Sequence, residues 1–292
     1  MNCVKWKKQN NRRPGVETQL IQSWVKDRIG WIALNNTRRK NALHNTMYES
    51  ILSLVDAYEK NEQVRTIVLK GNEGNFSAGY DLSQGLPDPY RDFVKDLSSA
   101  AAKRLWYCKK PTISMVEGYC VGGGFELAMG ADLVYAAEDA ALGEPEIDFF
   151  FTPDYNSIPC LTLARKAKEM IMLGSVITGT EAAAIGLVNK AFAPEQLEAE
   201  VIKICHRIAS LPSETVEVAK VGLNGALDAQ GFKNAIDYGE EIAIYNGLLS
   251  KTNPKCELFY RTAKEKGIKE AIKLVRDYTQ SGQAGEMGWK KD

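Results

Sequence analysis

An α/β fold is predicted from this sequence, and three observations carry the prediction. Short apolar runs of strand type alternate with segments whose apolar residues recur at helical spacing. Glycine-rich loops follow two of these runs. The composition, 45% hydrophobic and 25% charged over 292 residues, is that of a soluble globular chain able to bury one large core or a core with an appendage.

Taken in order, the chain opens on a segment of basic bias. Lys5, Lys7, Lys8, Arg12 and Arg13 precede the first acid, Glu17. That bias resembles a transit peptide, yet the stretch is poor in serine and has neither an apolar h-region nor a helical apolar face, so residues 1–24 are expected to form a flexible arm. A strand is expected over Arg28–Leu34, followed by the polar turn Asn35–Lys40. Met47, Ile51, Leu54, Val55 and Tyr58 then recur at helical spacing. The strand Arg65–Lys70 leads into a loop through Gly79, a helical pattern runs to Lys110, and a third strand spans Thr112–Val116. A glycine loop, a helix over Phe125–Gly130 and the strand Leu133–Ala136 continue the alternation. Thr180 is placed to cap a short helix, Glu181–Ile185, that Gly186 ends. Beyond Pro194 the pattern is helical throughout: Leu197–Ser210, Ser213–Leu227, Phe232–Leu248 and Thr262–Tyr278. The chain thus divides into an α/β core (residues 25–210), a C-terminal helical region (211–280) that covers the core or mediates self-association, and a flexible tail (281–292).

Charge and residue usage exclude several function classes. Lys+Arg and Asp+Glu both number 37, so no general basic field recruits nucleic acid or an anionic membrane. No apolar run reaches the roughly 18 to 20 residues of a membrane span. The six cysteines are scattered with no CxxC pair, as in reduced intracellular proteins, which makes the cytoplasm the expected compartment, with the mitochondrial matrix as the alternative, and leaves no structural zinc motif. Cys120 and Cys160 read as packing residues. With two histidines, His44 and His206, imidazole chemistry has little to draw on, so acid–base work falls to carboxylates.

The segment Pro111–Glu126, PTISMVEGYCVGGGFE, is the most informative. A buried-type strand runs into Gly118 and then Gly122, Gly123 and Gly124, directly ahead of a helix. Glycine lets the backbone approach a ligand closely, and the first N–H groups of the helix point outward unpaired, which suits an anion or oxyanion. Taken alone, the triple glycine serves close strand-to-helix packing equally well. It is neither a dinucleotide fingerprint nor a P-loop, because the third spaced glycine and the Gly-Lys-Ser/Thr ending are absent. A second loop, Gly74–Leu82, offers the backbone N–H of Ala78 beside Gly79, and loops after parallel strands can face one another at their carboxyl ends. Glu126 stands in the first turn of the helix after the glycines. Glu146 follows in Leu142–Ile147, LGEPEI, and across neighbouring elements the two could divide acid and base duties.

Seven segments in order make the chain resemble the crotonase (enoyl-CoA hydratase/isomerase) superfamily from about Val25 to Arg276. They are Arg39–Leu43 (RKNAL), Val64–Val68 (VRTIV), Phe76–Asp81 (FSAGYD), Lys110–Ile113 (KPTI), Gly118–Ala128, Gly143–Glu146 (GEPE), and Thr178–Ala182 (TGTEA) through Gly186–Asn189 (GLVN). The resemblance implies a crotonase-type spiral of ββα units ending in a helical C-terminal trimerisation region, assembling as a trimer or dimer of trimers. It implies that the N–H groups of Ala78 and Gly123 hold the thioester oxygen of an acyl-CoA. Gly79, Tyr80, Asp81, Lys40 and Ala42 would meet CoA or substrate, with Arg38 and Arg39 near its phosphates. Both hydratase carboxylates are retained, so hydration or dehydration of an enoyl-CoA is implied, with Glu146 as the acid at Cα and Glu126 activating water. CoA is then part of the substrate, and no tightly bound cofactor or metal is needed.

The sequence departs from straight-chain hydratases just after Glu146, where IDFFFTPDYNS replaces a glycine-rich stretch. Phe150, Asp154 and Tyr155 are candidate acyl-pocket residues, either closing the tunnel to select a short, branched or cyclic group or simply packing the core. Asp154 or Tyr155 could instead serve hydrolase, isomerase or lyase chemistry within the superfamily. A non-catalytic member binding acyl-CoA or RNA is the remaining alternative, opposed by the intact Glu126 and Glu146 and by the zero net charge. Glu144 is expected to be solvated.

Overall fold

The computed structural model describes residues 19–85 and 87–280. Among the described residues, nine strands form two sheets. They are β1 (Ile21–Lys26), β2 (Ile29–Leu34), β3 (Thr66–Gly71), β4 (Thr112–Val116), β5 (Tyr119–Val121), β6 (Leu133–Ala137), β7 (Ala141–Gly143), β8 (Val176–Thr178) and β9 (Lys190–Phe192). The larger sheet has the order β1-β2-β3-β4-β6-β9, and all its pairings are parallel except the β1–β2 hairpin. β2 and β4 are buried along their whole length, which is why they read as continuous apolar runs rather than as alternation. The smaller sheet, β5-β7-β8, stands beside the loops after β3 and β4.

The helices that fill the crossovers are α1 (Asn45–Lys60), α2 (Tyr90–Phe93), α3 (Ser99–Trp106), α4 (Gly123–Met129), α5 (Ile158–Leu161), α6 (Ala164–Leu173) and α7 (Gly179–Ala184). On α1 the expected periodicity holds, with Met47, Tyr48, Ile51, Val55 and Tyr58 buried. His44 is its N-cap, the ring Nδ1 accepting the Thr46 N–H at 3.2 Å. The cap of α7 is Thr178 rather than Thr180: Thr178 and Glu181 form a reciprocal capping box, which starts the helix at Gly179.

The C-terminal helices are α8 (Pro194–Ala209), α9 (Ser213–Ala229), α10 (Phe232–Thr252), α11 (Pro254–Lys266) and α12 (Ile268–Gln280). The boundary near Leu211 falls between α8 and α9. One long helix over Thr262–Tyr278 does not form, because Gly267 takes φ +90° and separates α11 from α12. Buried polar groups fasten this region to the core. Lys220 of α9 reaches Asp132 at 2.7 Å, and Glu240 of α10 accepts from Ser99 at 2.6 Å and from Lys103.

The ordered fold also begins earlier than expected. Ile21–Trp24 pair with β2, and Trp24 stacks on Trp31 with ring centroids 5.7 Å apart, so the end of the supposed arm is strand. Its pattern is mostly exposed, so no buried run or alternation announces it. Residues 1–18 and the tail 281–292 lie outside the described residues.

Candidate active site

Two glycine-bearing loops meet at the carboxyl ends of β3 and β5. Gly79 has φ +86°, and a methyl group there would lie 2.9 Å from the Val121 carbonyl and 3.6 Å from the Gly123 nitrogen. Only a residue without Cβ permits that approach. Ser77 locks the first loop: its Oγ donates to the Asn41 carbonyl at 2.8 Å and accepts the Gly79 N–H at 3.1 Å. The pocket above is lined by Gly79, Tyr80, Gly123, Glu126, Glu146 and Asp154, with Tyr48, Tyr90, Phe93, Phe149 and Phe151 among its aromatic walls.

The donor expected at Ala78 is not free. Its N–H donates to the Lys40 carbonyl at 2.9 Å, as Asp81 donates to Leu43 at 3.0 Å and Gly79 to Ser77 Oγ. The loop is stitched to residues 40–43, and the amides on either side of Tyr80 are both taken, that of Asp81 by Leu43 and that of Gly79 by Ser77 Oγ. The Tyr80 N–H has no partner among the described residues, and Tyr80 lines the pocket. Its nitrogen lies 3.8 Å from where a Cβ on Gly123 would stand. The facing amides are therefore those of Tyr80 and Gly123. Composition carries no signal for such a donor, since every residue but proline has one.

The carboxylate pair expected from sequence does come together in this pocket. Glu126 is 4% exposed, and it accepts the Tyr155 N–H at 2.8 Å and shares a hydrogen bond with Asp154. Burial, and secondarily the charge of Glu146, push its pKa up to about 8. Glu146 lies in the single-turn helix Pro145–Phe149, where its Oε1 accepts the Gly123 N–H at 3.0 Å. Burial first and Asp154 second raise its pKa to about 8, against the pull of that N–H. Asp154, 5% exposed, is raised well above the usual carboxylate range by burial and by Glu126. Three carboxyls thus share one desolvated space and cannot all ionise together near neutral pH.

Several expected roles move. Tyr155 lends the site its backbone N–H only; its ring is buried edge-on to Phe232, which stacks on Trp106, and it does not line the pocket. Phe150 is also turned away: it takes φ +69° and packs near Phe259, while its neighbours Phe149 and Phe151 line the pocket. Glu144 is not solvated but 1% exposed, with neither carboxylate oxygen hydrogen-bonded among the described residues, and burial raises its pKa well above the usual range. Asp81, Lys40 and Ala42 lie outside the pocket lining. Asp81 pairs with Arg39 at 3.0 Å and caps the turn Leu82–Gln84, and the Lys40 ammonium sits 3.7 Å from the Tyr119 ring centroid. Cys120 is buried and packs as expected, but Cys160 is exposed. Tyr48 is the residue that sequence reasoning passed over. Its helical spacing marked it only as a neighbour of the core position Met47, yet its hydroxyl is buried at the pocket wall.

Fold and pocket together define an α/β enzyme of the crotonase class. The chain belongs to the enoyl-CoA hydratase/isomerase family, whose model matches residues 25–242. It is 35% identical over 210 residues to a probable mitochondrial enoyl-CoA hydratase of Dictyostelium discoideum, covering 70% of this chain and 74% of that one. A probable enoyl-CoA hydratase of Rhizobium meliloti is 34% identical over 220 residues, covering 73% and 83%. Among solved structures, an enoyl-CoA hydratase/isomerase from Xanthobacter autotrophicus Py2 superposes with a TM-score of 0.83 at 30% identity, covering 88% of this chain and 97% of that one.

Proposed function

We propose that the protein catalyses reversible hydration of an enoyl-CoA thioester. The observation that carries this is the convergence of two buried carboxyls, Glu126 and Glu146, on the pocket that the Gly123 and Tyr80 amides face. The thioester oxygen takes the two N–H groups, which stabilise the negative charge that develops there as the enolate forms. In its ionised form, which the bonds from Tyr155 and to Asp154 favour against burial, Glu126 activates the water that attacks Cβ. Glu146 delivers the proton to Cα. In the reverse direction Glu126 protonates the departing hydroxyl and Glu146 takes the Cα proton.

The Glu146–Gly123 contact gives this mechanism an order. Without substrate the Gly123 N–H stabilises the ionised form of Glu146. When the thioester oxygen takes that N–H, Glu146 loses the interaction that lowered its pKa and becomes a better acid reservoir, so binding is coupled to proton uptake. The profile of kcat/KM against pH is expected to be bell-shaped around pH 8, the value toward which both carboxyls are pushed. The acid limb marks protonation of the base, and the alkaline limb marks ionisation of the acid. A profile flat from pH 6 to 10 would remove the pair from the reaction.

Coenzyme A enters as part of the substrate, so no resident cofactor is invoked. Lys40, Ala42 and Asp81 are left to the rim, where the CoA nucleotide would lie. Self-association as a trimer or dimer of trimers belongs to the same proposal, supported by large apolar side chains left exposed on α9 and α6, among them Val218, Leu223, Met172 and Leu173. The cytoplasm, with the mitochondrial matrix as the alternative, belongs to the same proposal and rests on the scattered cysteines; relatives include mitochondrial as well as bacterial proteins. The deciding experiment follows enoyl absorbance near ~260 nm, a probe of conjugation, alongside free-thiol release on a panel of short, branched and cyclic enoyl-CoAs. Loss of conjugation without thiol is expected. Thiol release without hydration would make the protein a hydrolase centred on Asp154.

A further inference from the structure

Among the buried side-chain polar atoms that close no hydrogen bond within the described residues, four belong to residues lining this one pocket: Tyr48 Oη, Thr152 Oγ1, Asp154 Oδ1 and Tyr260 Oη. Tyr48 and Asp154 are the most enclosed, 1% and 5% exposed. Native proteins rarely leave such atoms unpaired, because desolvating a polar group without a partner costs more than a made bond returns. A hydrocarbon acyl chain would seal all four away from water and satisfy none. The wall is therefore matched to a ligand that brings its own oxygen.

We propose, resting on the acyl-CoA reading above, that the acyl chamber selects a group bearing a neutral hydroxyl, which accepts from Tyr48 and donates to Asp154. The two side chains differ in the way a hydroxyl requires. Tyr48, on α1, offers an O–H, and its oxygen lies 2.9 Å from where a Cβ on Gly123 would stand, beside the facing amides. Asp154 already shares one hydrogen bond with Glu126, leaving Oδ1 as an acceptor. Ser98 lines the same wall and approaches both as a side-chain hydrogen-bond partner, but neither Tyr48 Oη nor Asp154 Oδ1 closes a bond of full geometry among the described residues. The charge of the acyl group follows from the other residues. Glu126, Glu146 and Asp154 line the chamber and, among the described residues, no Lys, Arg or His does, so an acyl carboxylate would meet like charge without a counterion from them.

Calorimetric titration with unreactive saturated thioesters tests this independently of turnover. Butanoyl-CoA and pentanoyl-CoA are compared with 4-hydroxybutanoyl-CoA, 5-hydroxypentanoyl-CoA and succinyl-CoA. One hydroxylated ligand is expected to bind about tenfold to a hundredfold tighter than its parent, and succinyl-CoA weaker than butanoyl-CoA. Tyr48→Phe and Asp154→Ala should each erase most of that preference. Tyr48→Phe should also fold with nearly undiminished thermal stability, since the buried hydroxyl it deletes has Ser98 beside it but closes no bond of full geometry among the described residues. Equal affinities for the hydroxylated and parent thioesters, a preference that survives both substitutions, or tighter binding of succinyl-CoA would each overturn the inference. The failure of the hydration proposal is seen separately, as no change in absorbance with but-2-enoyl-CoA or 4-hydroxybut-2-enoyl-CoA.

Discussion

Glu146→Gln should lower the hydration rate by about 10²- to 10⁴-fold, the usual contribution of a positioned proton donor, while leaving the affinity for a saturated acyl-CoA nearly unchanged. The split between rate and binding follows from geometry. Glutamine keeps a carbonyl oxygen where Glu146 Oε1 accepts the Gly123 N–H, so the loop and its amides hold their places. What is lost is the proton for Cα. The same logic separates Glu126→Gln, which keeps an acceptor for the Tyr155 N–H but removes the base and the partner of Asp154. Single-turnover rates measured alongside calorimetric affinities check both variants. Full turnover in Glu146→Gln would take that residue out of the chemistry, and a parallel fall in affinity would make its role structural.

How far this site could be read in advance depends on what each component is made of. Glu126 and Glu146 were legible because a carboxylate after a glycine turn and another in a Pro-Glu loop are marked by side-chain type at fixed places in the sequence. Gly123 was legible for the same reason. Its partner amide was not, because loop 72–81 is stitched to residues 40–43 by long-range bonds that decide which N–H remains free, and that decision falls two residues beyond Ala78. Tyr155 was misplaced because its ring packs on Phe232 of the C-terminal helices, a contact made at long range, and Phe150 by a local cause. The chain reverses at Phe150 through a left-handed residue, which exchanges the faces of its neighbours in a way no alternation predicts. Glu144 shows the limit of residue-type priors. An acid beside a loop proline reads as solvated, yet β7 and the adjoining turn bury it. The fold itself was clearer, since parallel strands buried on both faces leave unbroken apolar runs; β1, exposed along most of its length, left none.

Gly122→Ala should be the more damaging of two single-methyl substitutions in the glycine turn. Gly122 holds φ +56° and ψ −136°, a backbone conformation that L side chains rarely adopt, and a Cβ there would land on the Glu146 carboxylate. The substitution therefore strains the turn that aims the Gly123 N–H and displaces the acid bonded to it. A loss of about 10²- to 10³-fold in kcat is expected, as when one oxyanion donor is removed, with a stability cost of about 1 to 3 kcal/mol from the backbone. At Gly123 the φ is not positive, and a Cβ would approach the Tyr48 hydroxyl at 2.9 Å, a side-chain atom that can be removed. Gly123→Ala should thus be rescued in part by Tyr48→Phe, whereas Gly122→Ala should not. Thermal denaturation and steady-state rates of the four variants in each cycle measure the coupling. Equal damage at both glycines, with no rescue at Gly123, would mean that the triple glycine serves strand-to-helix packing rather than the placement of one amide and one acid.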